Sequence, residues 1–96
     1  MKNAIKIPSI LERLRKALSD AAIDHRIEND THDFTVRLGG MRHVVNFSDD
    51  LLEEKTEKEL FTVILGIVQR ASTQSLPVHF MVRNDDFEEV LRTLKR

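Results

Sequence analysis

Between Phe34 and Phe47 the chain runs FTVRLGGMRHVVNF, with apolar and polar residues alternating at period two on either side of a diglycine. Phe34, Val36 and Leu38 take one side, and Asp33, Thr35 and Arg37 the other, as in a strand with one buried face. Gly39-Gly40 accepts the positive φ that a two-residue hairpin turn requires. That turn fixes the register: Leu38 opposite Met41, Val36 opposite His43, Phe34 opposite Val45, and His32 opposite Phe47. Opposed residues share a face, so both strands present their apolar sets to the same side.

Upstream, His25–Glu28 adds a third segment, and Asn29–His32 is rich in turn formers. Pairing Glu28 with Asp33 predicts a third antiparallel strand. Its inner rows are Ile23–Leu38–Met41, His25–Val36–His43 and Ile27–Phe34–Val45. The outer rows read Asp24–Arg37–Arg42, Arg26–Thr35–Val44 and Glu28–Asp33–Asn46, mostly polar, as a meander with one solvated face requires.

The remaining pattern is helical apart from one segment. Ser9 and Glu12 have capping-box spacing, and Ile10, Leu11, Leu14, Ala17, Leu18 and Ala21 recur at helical intervals. They predict an amphipathic helix over 10–21, with 1–8 ahead of it as a flexible N-terminal tail. Ser48-Asp49-Asp50 and Thr56–Glu59 are two further start signals. They fit either a short turn at 49–54 and a main helix at 57–73, or one long bent helix. Leu60, Phe61, Val63, Ile64, Leu65, Ile67 and Val68 make that segment apolar around more than one stripe, as in a central core helix. Ser72–Pro77 reads as loop, and Val78–Val82 alternates as a strand with Val78, Phe80 and Val82 inward. A strand reached through one main helix runs parallel to the third strand, by a right-handed crossover. Periodicity does not fix whether it lies beside the third strand or the first. Asn84 or Asp85 caps a last helix lined by Phe87, Val90, Leu91 and Leu94, and Arg92, Lys95 and Arg96 suit the negative pole of its dipole. The expected fold is an α+β two-layer sandwich, order α-β-β-β-α-β-α. An antiparallel three-strand meander and one further strand carry the helices on one face, as a single domain over 1–96.

Composition narrows the function classes. The chain has 96 residues and net charge −1, with a basic lean in its first half and an acidic one at Asp49–Glu59. Nothing in that balance draws it toward nucleic acid or an anionic membrane. With no cysteine, disulfides, thiol nucleophiles and cysteine-ligated metals are excluded together, and a reducing cytoplasmic setting is expected. No apolar run approaches the roughly 20 residues of a membrane span, and Met1–Pro8 is too short and interrupted for a secretory leader.

Candidate chemistry is sparse. His25 and His43 fall on one inner row two strands apart and are the best metal ligands on offer, but no third ligand joins them, as zinc requires. His32 is expected at a turn and His79 on the solvent face. Ser9 and Ser48 have capping roles, as do Asp49/Asp50 and Asp85/Asp86, and no Gly-x-Ser-x-Gly elbow occurs. Gly39-Gly40 precedes a strand, so it is no phosphate cradle. Arg26, Arg37 and Arg42 cluster on the outer face around Val44, joined by Met81 if the fourth strand lies beside the third. An apolar centre with an arginine rim fits a partner-binding surface. A sheet that binds single-stranded nucleic acid would want aromatic platforms there, and the chain has neither Tyr nor Trp. The expectation is a small, non-catalytic protein-interaction module, bacterial in style, without cofactor, and a homodimer through the outer face. A nucleic-acid-binding domain using the same face is the alternative, and a small enzyme or metal protein the last.

Overall fold

The structure, a computed structural model, describes residues 2–94, and the side chains of 6–94. Lys95 and Arg96, expected at the last helix's negative pole, lie outside the described residues. Two turns of the same kind generate most of the sheet. Gly39 (φ 60°) and Gly40 (φ 79°) reverse β2 (Thr31–Leu38) into β3 (Met41–Ser48), in the register that the alternation predicts. Asn29 (φ 48°) and Asp30 (φ 62°) do the same between β1 (Ala22–Glu28) and β2. Asparagine and aspartate tolerate the left-handed region, so this turn needs only those residues. Glu28 therefore pairs with Thr31, not Asp33. The shift is two residues, so faces are preserved while partners change: Ile23 meets Val36, His25 meets Phe34, and Ile27 meets His32.

β4 (His79–Val82) lies beside β3 and parallel to it, giving the order β1-β2-β3-β4. The link from β3 is two helices, α2 (Asp49–Glu54) and α3 (Glu57–Thr73). Ser48 caps the first by accepting from the Leu51 amide. Thr56 and Glu59 form a full capping box on the second. α3 ends through the Ser75 residue (φ 56°), with the Leu76 amide reaching the Ala71 carbonyl at 3.1 Å, a Schellman arrangement. A short 3₁₀ turn (Asn84–Asp86) then leads into α4 (Phe87–Leu94).

The N-terminal helix departs from expectation. α1 spans Lys2–Ala17, so the segment read as a tail is helical and Ser9 is no cap. Ile7 extends the apolar stripe of Ile10, Leu11, Leu14 and Leu18 by one turn, while Pro8 sits on the exposed side. The Lys6 ammonium anchors that turn, donating to the carbonyls of Leu52 (2.6 Å), Glu53 (3.1 Å) and Lys55 (2.8 Å). Its three donors thus serve the orphan acceptors at the C-terminus of α2. The Ser9 hydroxyl is spent on Glu57, which ties α1 to the start of α3. α1 ends at Ala17, before Ser19-Asp20, although Leu18 and Ala21 still pack on the core.

The core lies between the helices and one sheet face. Phe34, Val36, Val45 and Phe47 on the sheet meet Ile10, Leu14, Leu51, Leu60, Ile64 and Phe87, all fully buried. Phe47 stands edge-on to Phe34 at 5.9 Å and tilted toward Phe87 at 6.5 Å, so it links sheet to α4. Gly66 has its structural reason in α3. A Cβ there would fall 2.9 Å from the methyls of Leu94, so the glycine admits the end of α4.

Candidate functional site

The revised register redraws the outer face. Its rows are Ala22–Arg37–Arg42, Asp24–Thr35–Val44–His79, Arg26–Asp33–Asn46–Met81 and Glu28–Thr31–Ser48. Arg37 and Arg42 stand directly opposite one another, and Arg26 faces Asp33. Three arginines are met by Asp24, Glu28 and Asp33, so the face has no net charge. Val44 is 8% exposed, buried among its strand neighbours, whereas Met81 is 52% exposed. Asn46 donates through Nδ2 to Asp33, while its Oδ1 is buried without a partner. The five residues expected at one interface thus divide into an opposed arginine pair, an arginine across from a carboxylate, a covered valine and an open methionine.

The histidines are rearranged more deeply. His25 and His43 do not share a row, because His25 lies across from Phe34 and His43 across from Val36. His25 instead reaches His32, with Nε2 2.9 Å from Nδ1 and the rings stacked at 5.1 Å. His32 is no turn residue. It is 2% exposed on the inner face, and its Nε2 lies 2.8 Å from Oδ1 of Asp49, the first residue of α2. The chemistry orders this chain. A carboxylate only accepts, so His32 Nε2 carries a proton; in neutral His32, Nδ1 then accepts from His25 Nε2–H. The Asp49 amide also donates to the Asp30 carbonyl at 2.8 Å, so the relay clamps the first turn to α2. Burial holds the His25 pKa below its ordinary value, with His32 adding to the effect and Asp33 opposing it. Among the described residues, no three His, Asp or Glu side chains converge as a metal would require.

His43 is fully buried, with Nε2 3.4 Å from the Ser72 hydroxyl and Nδ1 without a partner. Desolvation lowers its pKa. For both lowered histidines the unfolded chain takes up its proton first as pH falls below about 6.5. Folding stability is therefore fully present above that pH and declines toward the depressed folded values. Replacing His43 by Leu removes one such group together with its unsatisfied nitrogen. We expect His43→Leu to gain about 1 kcal/mol at pH 7 and to flatten the loss between pH 7.5 and 5.5, read by urea denaturation. An unaltered slope would mean that His43 titrates alike in both states.

A different surface stands out at the far edge of the sheet. The two edges are built differently. β1 alternates Asp24, Arg26 and Glu28 along its length, and Arg15 donates to its Ile23 carbonyl at 3.3 Å. Charge of this kind keeps an edge from pairing with another chain. β4, His-Phe-Met-Val, has no Asp, Glu, Lys or Arg. Phe80, an inward position by alternation, is 38% exposed, because among the described residues nothing fully covers the inner side of the last strand there. It borders a groove of about 370 Å³ between α3, α4 and β4, whose apolar wall is Ile67, Ala71, Val78, Val90 and Leu94 and whose rim carries Arg70 and Glu89. Leu76, just before the strand, is 58% exposed. The sequence signal for this site was the uncharged edge strand itself, legible only once the strand's place in the sheet is known.

No helix among the described residues is long and apolar enough to cross a membrane. No family model matches this chain, and no curated protein or solved structure matches it either.

Proposed function

We propose that the protein is a non-catalytic, cytoplasmic protein-interaction module whose contact surface is the β4 edge with the groove beside it. The observation that carries this reading is the gathering of Leu76, Phe80 and Met81, all large, apolar and open, around a strand with no charge on it. Scattered apolar residues need no explanation, but a cluster on an unpaired edge does. Backbone groups there offer a partner affinity, and the groove offers its side chains a place to go. Of the outer-face residues, Met81 belongs to this surface; Val44, beside His79 on β3, is covered, Arg42 lies on β3 past the end of the β4 pairing, and Arg37 and Arg26 stand on β2 and β1. The balanced outer face gives nucleic acid no electrostatic footprint, and it has no aromatic platform. The His25–His32–Asp49 chain works as a structural clamp and does not line the groove between α3, α4 and β4.

A photo-crosslinking residue, p-benzoylphenylalanine, placed at position 80 of the full chain in its native cell tests the reading. A discrete adduct is expected there, and none from the same group at Glu53 on the exposed side of α2. Absence of an adduct at 80, or equal labelling at both positions, would overturn the assignment.

A further inference from the structure

The backbone of β4 says more about its partner than the side chains do. Val44 N–H donates to the Val78 carbonyl at 2.8 Å, and Val44 pairs with His79 in the parallel ladder. In such a ladder alternate residues turn their backbone groups toward the neighbour strand. Residues 78, 80 and 82 therefore face β3, and the N–H and C=O groups of His79 and Met81 point away from the sheet. Among the described residues nothing bonds to them. The outward groups are thus placed symmetrically about Phe80.

We infer that the partner is a second copy of this chain, joined β4 to β4 antiparallel about a two-fold axis at Phe80; this rests on the interaction-module reading above. With that axis, His79 of one copy exchanges both backbone bonds with Met81 of the other, and the reverse pair does the same. Phe80 meets its own counterpart in the non-hydrogen-bonded position. Sliding by one step in either direction loses this. One shift would centre on His79 and bring in Pro77, which has no N–H to give. The other would centre on Met81 and bring in Arg83, placing a charge at the seam. The two-fold axis stands normal to the sheet, so both helix layers fall on the same side. One eight-stranded sheet then runs through the pair, and its only remaining edges are the charged β1 strands. Four residues make a short seam. The apolar surface supplies the rest, as each Phe80 lies at the mouth of the other copy's α3–α4 groove. An isologous contact of this kind closes on itself and does not propagate.

The absence of native cysteine makes a clean test. Non-hydrogen-bonded antiparallel pairs place their Cα atoms about 4.5 Å apart, within reach of a disulfide. The wild-type chain is expected to sediment at twice its 11.1 kDa across the micromolar range. Phe80→Cys should oxidise to a disulfide dimer at least about tenfold faster than His79→Cys or Met81→Cys, whose like positions lie on the diagonal beyond disulfide reach. Met81→Pro removes an outward donor and spares the β3–β4 ladder, so it should sediment as a folded monomer. A monomeric wild type overturns self-pairing. If position 80 meanwhile crosslinks to a protein of another mass, the module reading survives without it. A dimer in which Phe80→Cys oxidises no faster than its neighbours overturns the register, and one that survives Met81→Pro overturns the β4 seam.

Discussion

Val36→Asp removes a large share of the protein's stability at pH 7. Val36 has no exposed surface, lies in the row of Ile23 and His43, and is part of the cluster beneath the helices. A carboxylate there joins a buried cluster that includes Ile10, Leu14 and Ile64, and the titratable neighbour on its row is His43, which burial favours in its neutral form. Ionised, it carries a desolvation cost far beyond what a small domain can absorb, so it stays protonated and remains an unsatisfied polar group. Loss of valine packing adds to that, and the sum is about 3–5 kcal/mol of a total near 5–15. Arg37→Asp, one residue along and on the exposed side, should change stability by no more than about 0.5 kcal/mol. Urea denaturation followed by circular dichroism reads both. A Val36→Asp chain as stable as wild type would put residue 36 on the solvent face and reverse the sheet.

That contrast depends on the part of the fold the sequence states most clearly. Alternation gives the face and a diglycine gives the register, and the β2–β3 pairing follows from Leu38–Met41 to His32–Phe47. A mixed four-strand sheet with helices in the order α-β-β-β-α-β-α also follows from period and capping signals. The division at Lys55-Thr56 is one of the two arrangements those signals allowed, and the Thr56–Glu59 box explains it. The losses share a cause. Asn29-Asp30 can turn in two residues or serve within four, and composition does not distinguish the two. Choosing four displaced β1 by two residues, kept every residue on its correct face, and set His25 in the row of His43 instead of across from Phe34, while His32–Phe47 and His43–Val36 stand as expected. Period likewise tells which side of a strand a residue occupies, not whether anything lies over it. Phe80 and Ile27 point to the helix side and are nonetheless 38% and 64% exposed, because the helix layer does not reach the sheet's outer corners. Conversely, Ile7 lies ahead of a convincing cap at Ser9, and the helix overrides that signal because Ile7 and Lys6 both find partners in α2 and the core.

The histidine clamp was the feature least visible in the sequence, and it carries the second large effect. Asp49→Ala is expected to cost about 1–4 kcal/mol. Its carboxylate serves the Nε2–H of a histidine that is 2% exposed, and an N–H left buried without an acceptor costs about 1–3 kcal/mol. The same carboxylate opens α2, where a negative charge near the positive end of the dipole contributes about 0.3–1 kcal/mol more. The reverse deletion is gentler. In His32→Phe the ring volume is retained, Asp49 keeps its place at the helix start with access to solvent, and half-exposed His25 can turn to water. Removing both ends of a buried hydrogen bond costs less than removing one. The double variant His32→Phe with Asp49→Ala should therefore lie within about 1 kcal/mol of His32→Phe alone, the dipole share. A double-mutant cycle by urea denaturation at pH 7.5 measures the difference. Strictly additive losses would mean that His32 and Asp49 do not depend on one another, and the clamp between the first turn and α2 would have to be sought in the backbone bond from Asp49 to Asp30 alone.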